Sequence, residues 1–198
     1  MSMIKGVWPG GKSTAVRQLV VQANWLTLPL AGGSCDLVFG DACFATVHRA
    51  QAREVAESIR RVLRSGGAFT TRMFVRPDIA EQPDDVWEQL VEGRIGNFAI
   101  FKLRLLMALC SDAGEVGVAE AWIYFRSRCP ELPRLAEHLG WPVETVKTIE
   151  AYRDQSAIYW FPTVSEFRAV LANLFRERAC RSPTYELGER CLTFVLAG

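Results

Sequence analysis

The sequence is poor in the features that metal centres, membrane spans and nucleic-acid surfaces require. It contains only two histidines, and none of its six cysteines belongs to a Cys-x-x-Cys pair, so we expect no metal site. Its longest apolar run is interrupted by Lys102 and Arg104, which argues against a membrane partner. A formal net charge of +1, without a basic stripe, argues against a nucleic-acid partner.

The composition is that of a globular protein. With 198 residues, of which 49% are hydrophobic, the chain can bury a sizeable core as one domain, or as one domain with an insertion. Residues 1–20 contain no signal-peptide core, and the cysteines are typical of buried thiols in a reducing compartment. We therefore expect a cytoplasmic protein.

Three short apolar runs dominate the first part of the chain. Residues 17–22 and 36–41 are predicted to be buried parallel strands, and residues 68–74 a third strand. Between the last two, residues 49–64 carry apolar side chains at three- and four-residue spacings, which predicts an amphipathic helix. The strand, helix and strand make a right-handed βαβ unit.

The motifs in this part carry a family resemblance. The chain reads Asn-Trp-Leu-Thr-Leu-Pro at residues 24–29, Asp-Leu-Val-Phe-Gly-Asp at 36–41 and Arg-Val-Leu-Arg-Ser-Gly-Gly at 61–67. In this order and spacing, the motifs resemble the class I S-adenosylmethionine (SAM)-dependent methyltransferases from their third strand onward. The resemblance implies an α/β fold with a partial Rossmann-like sheet, SAM as cofactor, and methyl transfer to a small-molecule acceptor.

The same resemblance places the donor at the ends of two predicted strands. Asn24 stands where the family usually has an Asp that accepts a hydrogen bond from the adenine amino group, and an amide oxygen can accept that bond too. Trp25 would offer its flat ring to the adenine. Asp41 ends its strand where ligands bind in open α/β sheets. The residues predicted to bind SAM are Asn24, Trp25, Leu26, Asp41, Ala42 and Cys43; no catalytic residue is assigned.

Side chains near this predicted site have alternative interpretations. Cys43 is a candidate nucleophile or a small core residue, and His48 is a candidate general base or an exposed residue at a helix start. The aromatic residues Phe44, Phe74 and Trp122 indicate either an apolar acceptor pocket or core packing.

The resemblance also divides the chain into three parts. Residues 1–78 would form the Rossmann-like core with the third to fifth family strands, and residues 79–156 a mainly helical insertion or lid. Residues 157–198 would complete the same sheet with strands at 157–161 and 185–196 and a helix at 165–178. By the resemblance, the last strand would insert between the fifth and sixth strands.

Two family features have no counterpart in the sequence: the glycine-rich loop after the first strand and the acidic residue that ends the second. We therefore predict an N-terminally truncated domain. In this fold the missing first strand would lie beside residues 36–41, so its loss would expose a sheet edge. We expect either a repaired sheet, with residues 17–22 beside residues 36–40, or a homodimer through the exposed edge.

Other functions fit parts of the sequence. A non-catalytic binding or assembly module built on the same sheet predicts no donor affinity and a stable oligomer. Residues 6–13 satisfy the phosphate-loop pattern G-x-x-x-x-G-K-S and predict nucleotide affinity that is lost on Lys12→Ala, although no buried strand precedes them. Residues 132–139 and 143–153 have the lengths of a helix-turn-helix, but the second helix carries no net positive charge.

Overall fold

A computed structural model describes residues 21–198, and it confirms the predicted α/β class. The strands of this part are β1 (Cys35–Asp41), β2 (Leu63–Phe74), β3 (Glu115–Gly117), β4 (Ile158–Trp160), β5 (Arg176–Arg181) and β6 (Cys191–Ala197). Its α-helices are α1 (Ala52–Val62), α2 (Pro83–Val91), α3 (Phe98–Ala108), α4 (Val118–Arg128), α5 (Leu132–Leu139), α6 (Val143–Lys147) and α7 (Val164–Leu171). Single 3-10 turns lie at Trp25–Thr27, Arg49–Gln51, Thr148–Tyr152 and Gly188–Arg190.

The main sheet has the strand order β1-β2-β6-β5. β1 and β2 are parallel and joined by α1, as the apolar periodicity predicted. β6 is antiparallel to both of its neighbours, β2 and β5. The last strand therefore lies between the strands that correspond to the fifth and sixth of the family, in agreement with the resemblance.

The sixth strand, however, comes from a different segment than predicted. The prediction of a main-sheet strand at 157–161 is wrong, because β4 pairs with β3 in a separate two-stranded sheet. The predicted helix at 165–178 ends at Leu171, and β5 follows at Arg176–Arg181. Ala172 is extended and Asn173 is left-handed, with φ 64°, so the helical hydrogen bonds cannot continue although the apolar stripe does.

Local signals explain two helix starts. The Asn97 side chain accepts a hydrogen bond from Ile100 N at 3.0 Å and so caps α3. Thr163 caps α7 by accepting from Glu166 N at 3.2 Å, while the Glu166 carboxylate accepts from Thr163 N at 2.8 Å. This reciprocal pair is a capping box.

The core consists of two apolar clusters. In one, α1 and α7 pack against one face of the main sheet, where Phe44, Phe69, Phe167 and Phe194 are fully buried. The other cluster lies within the helices between residues 83 and 152, around Phe98, Phe101 and Phe125. The chain thus has a mainly helical insertion, as predicted; the exact boundaries at residues 78 and 156 stay predictions.

The other face of the main sheet is largely open in the part of the chain that the structure describes. Phe39 of β1 lies beside Thr70 of β2, which lies beside Val195 of β6, in a row across the sheet. Phe39 is 69% exposed and Leu37 is 46% exposed. Within residues 21–198, β1 pairs with β2 alone. The predicted strand at residues 17–22 lies mostly outside the described residues, and Val21 and Gln22 form no strand.

Candidate functional site

A cavity of about 640 Å³ lies between the main sheet and the helical insertion. Arg72 and Phe74 line it from the carboxyl end of β2, and Ala42 lines it from the loop that follows β1. Its volume is within the range of sites for small organic ligands. Its position is also where open α/β sheets bind ligands, namely beyond the carboxyl ends of parallel strands.

Arg72 of the cavity wall is paired with Asp41. They are register partners on β1 and β2. The Arg72 guanidinium donates from Nε to Asp41 Oδ1 at 2.7 Å and from Nη2 to Oδ2 at 3.0 Å. The hydrogen bond to Asp41 raises the pKa of Arg72. The predicted SAM contact of Asp41 would therefore have to use a carboxylate that is already paired with a cation.

The chain turns sharply after Asp41. Ala42 adopts a left-handed conformation with φ 52°, and its N–H donates to the Arg72 carbonyl at 3.0 Å. A non-glycine residue in this region is strained by roughly 1–2 kcal/mol. Such strain persists where the surroundings over-determine it, which is common at ligand sites.

The two side chains considered for catalysis do not line the cavity. Cys43 is 6% exposed, with its Sγ 3.9 Å from Thr71 Oγ1 in the core, and burial raises the pKa of its thiol to about 11. The thiolate form is therefore disfavoured at neutral pH, and the core interpretation is favoured. The His48 Nδ1 lies 3.4 Å from Glu115 Oε1, and its side chain is 55% exposed. The predicted SAM contact of Cys43 stays a prediction.

Asn24, Trp25 and Leu26 form a second part of the predicted site. The Asn24 amide oxygen accepts a hydrogen bond from Leu26 N at 3.0 Å and caps the 3-10 turn. Trp25 and Leu26 are half-buried against the sheet-and-helix core. The loop beyond them is held by Arg61 of α1, which donates to the Leu28 and Leu30 carbonyls, each at 2.7 Å. Their predicted contacts with SAM stay predictions.

Among the six residues predicted to bind SAM, Ala42 alone lines the cavity. Of the three aromatic residues predicted for the acceptor pocket, Phe74 lines it, whereas Phe44 is buried in the core. Trp122 donates from its indole N–H to Glu150 Oε2 at 3.0 Å on the insertion.

Sequence reasoning missed most of the cavity wall, which includes Lys102, Tyr152, Tyr159, Tyr185 and Glu186. These residues come from α3, the 3-10 turn at Thr148–Tyr152, β4 and the segment before β6. One local signal was present, because Lys102 interrupts an otherwise apolar helical run.

An ion cluster outside the cavity lining joins α3 to the segment before β6. The Glu81 carboxylate pairs with Arg104 of α3 and with Arg190, which directly precedes β6. The three side chains are only 11–20% exposed. Burial alone would raise the pKa of Glu81, but hydrogen bonds and charge from Arg190 and Arg104 outweigh it, and the pKa is lowered. The cluster therefore holds α3 of the helical insertion to the segment that precedes β6.

Two further observations concern metal ligands and membrane spans in the part of the chain that the structure describes. No group of three or more metal-ligating side chains suited to an ion occurs among residues 21–198. Nor does any helix in that range combine the length and apolarity needed to cross a membrane.

Comparison with protein families gives a match to the first part of the chain. Residues 6–71 match the family model described as a methyltransferase domain, which confirms the resemblance carried by the three motifs. The match covers about a third of the chain, and it is this segment that is similar to the methyltransferases. A search of the curated proteins gave no significant match.

Solved structures are similar at low identity. A SAM-dependent methyltransferase from Methanosarcina mazei is 16% identical, with a TM-score of 0.47, over 88% of this chain and 63% of that chain. A Rhodobacter sphaeroides protein whose structure bears the name of a Zn-dependent alcohol dehydrogenase is 12% identical, with a TM-score of 0.51, over 88% and 64%. Haemonchus contortus phosphoethanolamine N-methyltransferase 2, in complex with phosphomonomethylethanolamine and S-adenosylhomocysteine, is 12% identical, with a TM-score of 0.32, over 88% and 36%.

These likenesses concern the fold alone. The TM-scores of 0.47 and 0.32 are too low to support an argument, whereas the R. sphaeroides match supports the α/β fold. The chain spans less than two thirds of the length of each of these structures. The predicted truncation stays a prediction.

The phosphate-loop pattern at residues 6–13, with Lys12, lies outside the described residues. It falls inside the segment that matches the methyltransferase domain. This overlap favours the methyltransferase interpretation of the segment, and the nucleotide-binding interpretation stays an untested prediction.

Proposed function

We propose that this chain takes part in SAM-dependent methyl transfer to a small apolar acceptor held in the cavity. The observation that carries the proposal is the position of the cavity, which meets Ala42 just beyond the carboxyl end of β1. That strand belongs to the segment that matches the methyltransferase domain. The SAM-binding site and the acceptor cavity would thus be adjacent at Ala42.

The residues present fit the adenine end of the donor. The Asn24 oxygen has a second lone pair beyond the one that caps the turn, and the Trp25 ring lies beside it in the chain. Bound SAM would supply an electrophilic methyl group, which an acceptor N, O, S or C atom would displace directly. The contribution of the chain would be to orient the acceptor and exclude water, since proximity supplies much of the rate of such transfers. The apolar walls at Phe74, Leu103 and Phe161 suit that role.

The proposal is tested by calorimetric titration of the chain with SAM and with S-adenosylhomocysteine. We expect micromolar affinity that falls about threefold to tenfold in Asn24→Ala, because one neutral hydrogen bond is lost. Asn24→Ser keeps an oxygen that can cap the turn but shortens the reach to the ligand, so it should also weaken binding. Thr27→Ala, an exposed change in the same turn, should leave the affinity unchanged.

Absence of binding by the unchanged chain would contradict donor binding by this chain alone. If Asn24→Ser bound as well as the unchanged chain while Asn24→Ala did not, Asn24 would act through the cap and not through the ligand.

The alternative is a non-catalytic assembly module, for which the open sheet face is the specific observation. Phe39 and Leu37 on β1 are exposed apolar side chains at a strand that pairs on one side only within residues 21–198. Edge strands of this kind invite pairing with another chain. We propose a second copy as the partner, which gives a homodimer through β1.

Light scattering after size exclusion tests the dimer over a range of concentrations. We expect a dimer that Phe39→Glu converts to a monomer, because a charge would be placed in the apolar contact. Ile79→Glu is the matched control, since Ile79 is 88% exposed and belongs to no strand. A monomer at every concentration, or equal effects of the two substitutions, would contradict this interface.

A further inference from the structure

A lysine lies in the largely apolar wall of the cavity. Helix α3 is apolar nearly all round and carries two charged side chains, Lys102 and Arg104. Arg104 is paired with Glu81, but among residues 21–198 no carboxylate forms an ion pair with Lys102. Lys102 lines the cavity, and burial lowers the pKa of its ammonium group. Lys102 is half-buried, so its ammonium group is a cation in the wall without a counter-ion of its own.

The surroundings of the ammonium group satisfy it only in part. Its Nζ donates to Thr148 Oγ1 at 3.0 Å and lies 5.3 Å from the centroid of the Tyr152 ring, which is itself part of the cavity wall. A second ring, Phe98, has its centroid at 5.8 Å. An ammonium has three donors, of which Thr148 accepts one. Aromatic faces stabilise a cation without using up its hydrogen-bond donors.

The wall holds two other charged side chains, Arg72 and Glu186. Arg72 is held by both oxygens of Asp41, so its positive charge is compensated. Glu186 accepts a hydrogen bond from Gly96 N at 2.9 Å through Oε1 but forms no ion pair among residues 21–198, so its carboxylate keeps its negative charge. Lys102 is therefore the cation of the described wall that has donors to offer and no carboxylate partner.

We propose that the cavity takes an apolar molecule that carries one anionic group, a carboxylate in the simplest case, and that Lys102 binds this group. The apolar body of the ligand would contact Phe74, Leu103 and Phe161. The carboxylate would accept hydrogen bonds from the remaining donors of the ammonium group. This inference deepens the proposed function, since the molecule would be the methyl acceptor. The binding step itself does not require SAM.

The test compares three probes with one skeleton and different head groups: phenylbutyrate, phenylbutanol and phenylbutylamine. Calorimetry on the unchanged chain should give an affinity for the carboxylate at least roughly tenfold above that for the alcohol, because a charge-assisted bond is gained. The amine should bind more weakly than the carboxylate. Lys102→Met should reduce the carboxylate affinity to that of the alcohol and leave the alcohol unaffected.

Matched variants keep this result interpretable. Lys147→Met removes a lysine that is paired with Glu144 outside the cavity wall, and it should keep the full preference for the carboxylate. Lys102→Arg should retain most of the preference, and thermal melts would confirm that both Lys102 variants fold.

The proposal is overturned if the alcohol or amine binds as tightly as the carboxylate, if Lys102→Met keeps the preference, or if none of the probes binds at millimolar concentration. Because these titrations contain no SAM, their outcomes are distinct from a failure of the chain to bind SAM.

Discussion

Replacing Glu81 by alanine should lower the free energy of unfolding by about 3 kcal/mol, since breaking a largely buried ion pair leaves the partner charges uncompensated. Without Glu81, Arg104, which is 11% exposed, would have no carboxylate partner among residues 21–198. Arg190, which is 15% exposed, would keep only the 3.8 Å contact with Glu189, itself 68% exposed. Glu81→Gln keeps the shape and removes the charge, so its effect should be smaller. Urea unfolding followed by tryptophan fluorescence measures the change.

The same cluster predicts the direction of a pH dependence. The pKa of Glu81 is lower in the folded chain than its ordinary value of 4.5. Its contribution to stability is therefore complete well above pH 4.5 and is lost as the pH falls through the lowered pKa. The Glu81→Gln variant should lack this part of the acid sensitivity.

Glu88→Ala is the control for both measurements, because Glu88 is exposed on the neighbouring helix α2. Surface changes of this kind usually alter stability by less than about 0.5 kcal/mol. Equal stabilities of Glu81→Ala and Glu88→Ala would contradict the structural role of the cluster.

Gly40→Ala should destabilise the chain by about 1–3 kcal/mol, the usual range for overpacking a core. Gly40 lies in β1, one residue before Asp41. A Cβ at this position would lie 2.6 Å from Cys43 Sγ, 3.3 Å from a Phe69 ring carbon and 3.3 Å from Thr71 Oγ1. The strand cannot accept the methyl group unless the Cys43 side chain moves.

A double-mutant cycle identifies the atom responsible. In Gly40→Ala combined with Cys43→Ala, the nearest atom is removed. The double variant should therefore lose about 1 kcal/mol less stability than the sum of the losses in the two single variants. Gly32→Ala is the control, because its nearest contact would be an ordinary 3.5 Å to the Arg61 carbonyl. Strict additivity of the first pair would show that Cys43 does not limit the packing.

The sequence allowed the βαβ unit and most helices to be predicted because their signals are local. The helical segment at 132–139 has the same bounds as α5, and the stripe of α1 faces the sheet as its spacing required. β5 was missed for the same reason. Its preceding apolar residues, Leu174 and Phe175, continue the helical spacing of α7, while the left-handed turn at Asn173 has no clear local signal.

Less of the candidate site could be predicted from the sequence. The donor side could be proposed because the family motifs are contiguous in sequence. The cavity joins Phe74, Lys102, Tyr152 and Tyr185, which are separated by tens of residues and come together only through tertiary packing. Periodicity within a short window carries no information about such contacts.

The position of β6 has a consequence for how the chain folds during synthesis. β6 supplies the hydrogen bonds that join β2 to β5, yet it is formed by Cys191–Ala197, more than a hundred residues after β2. Contacts this distant in sequence close a long loop and slow folding. Until Cys191–Ala197 have left the ribosome, Phe69 and Met73 lie on a strand without its second neighbour, and the nascent chain exposes an apolar edge to aggregation.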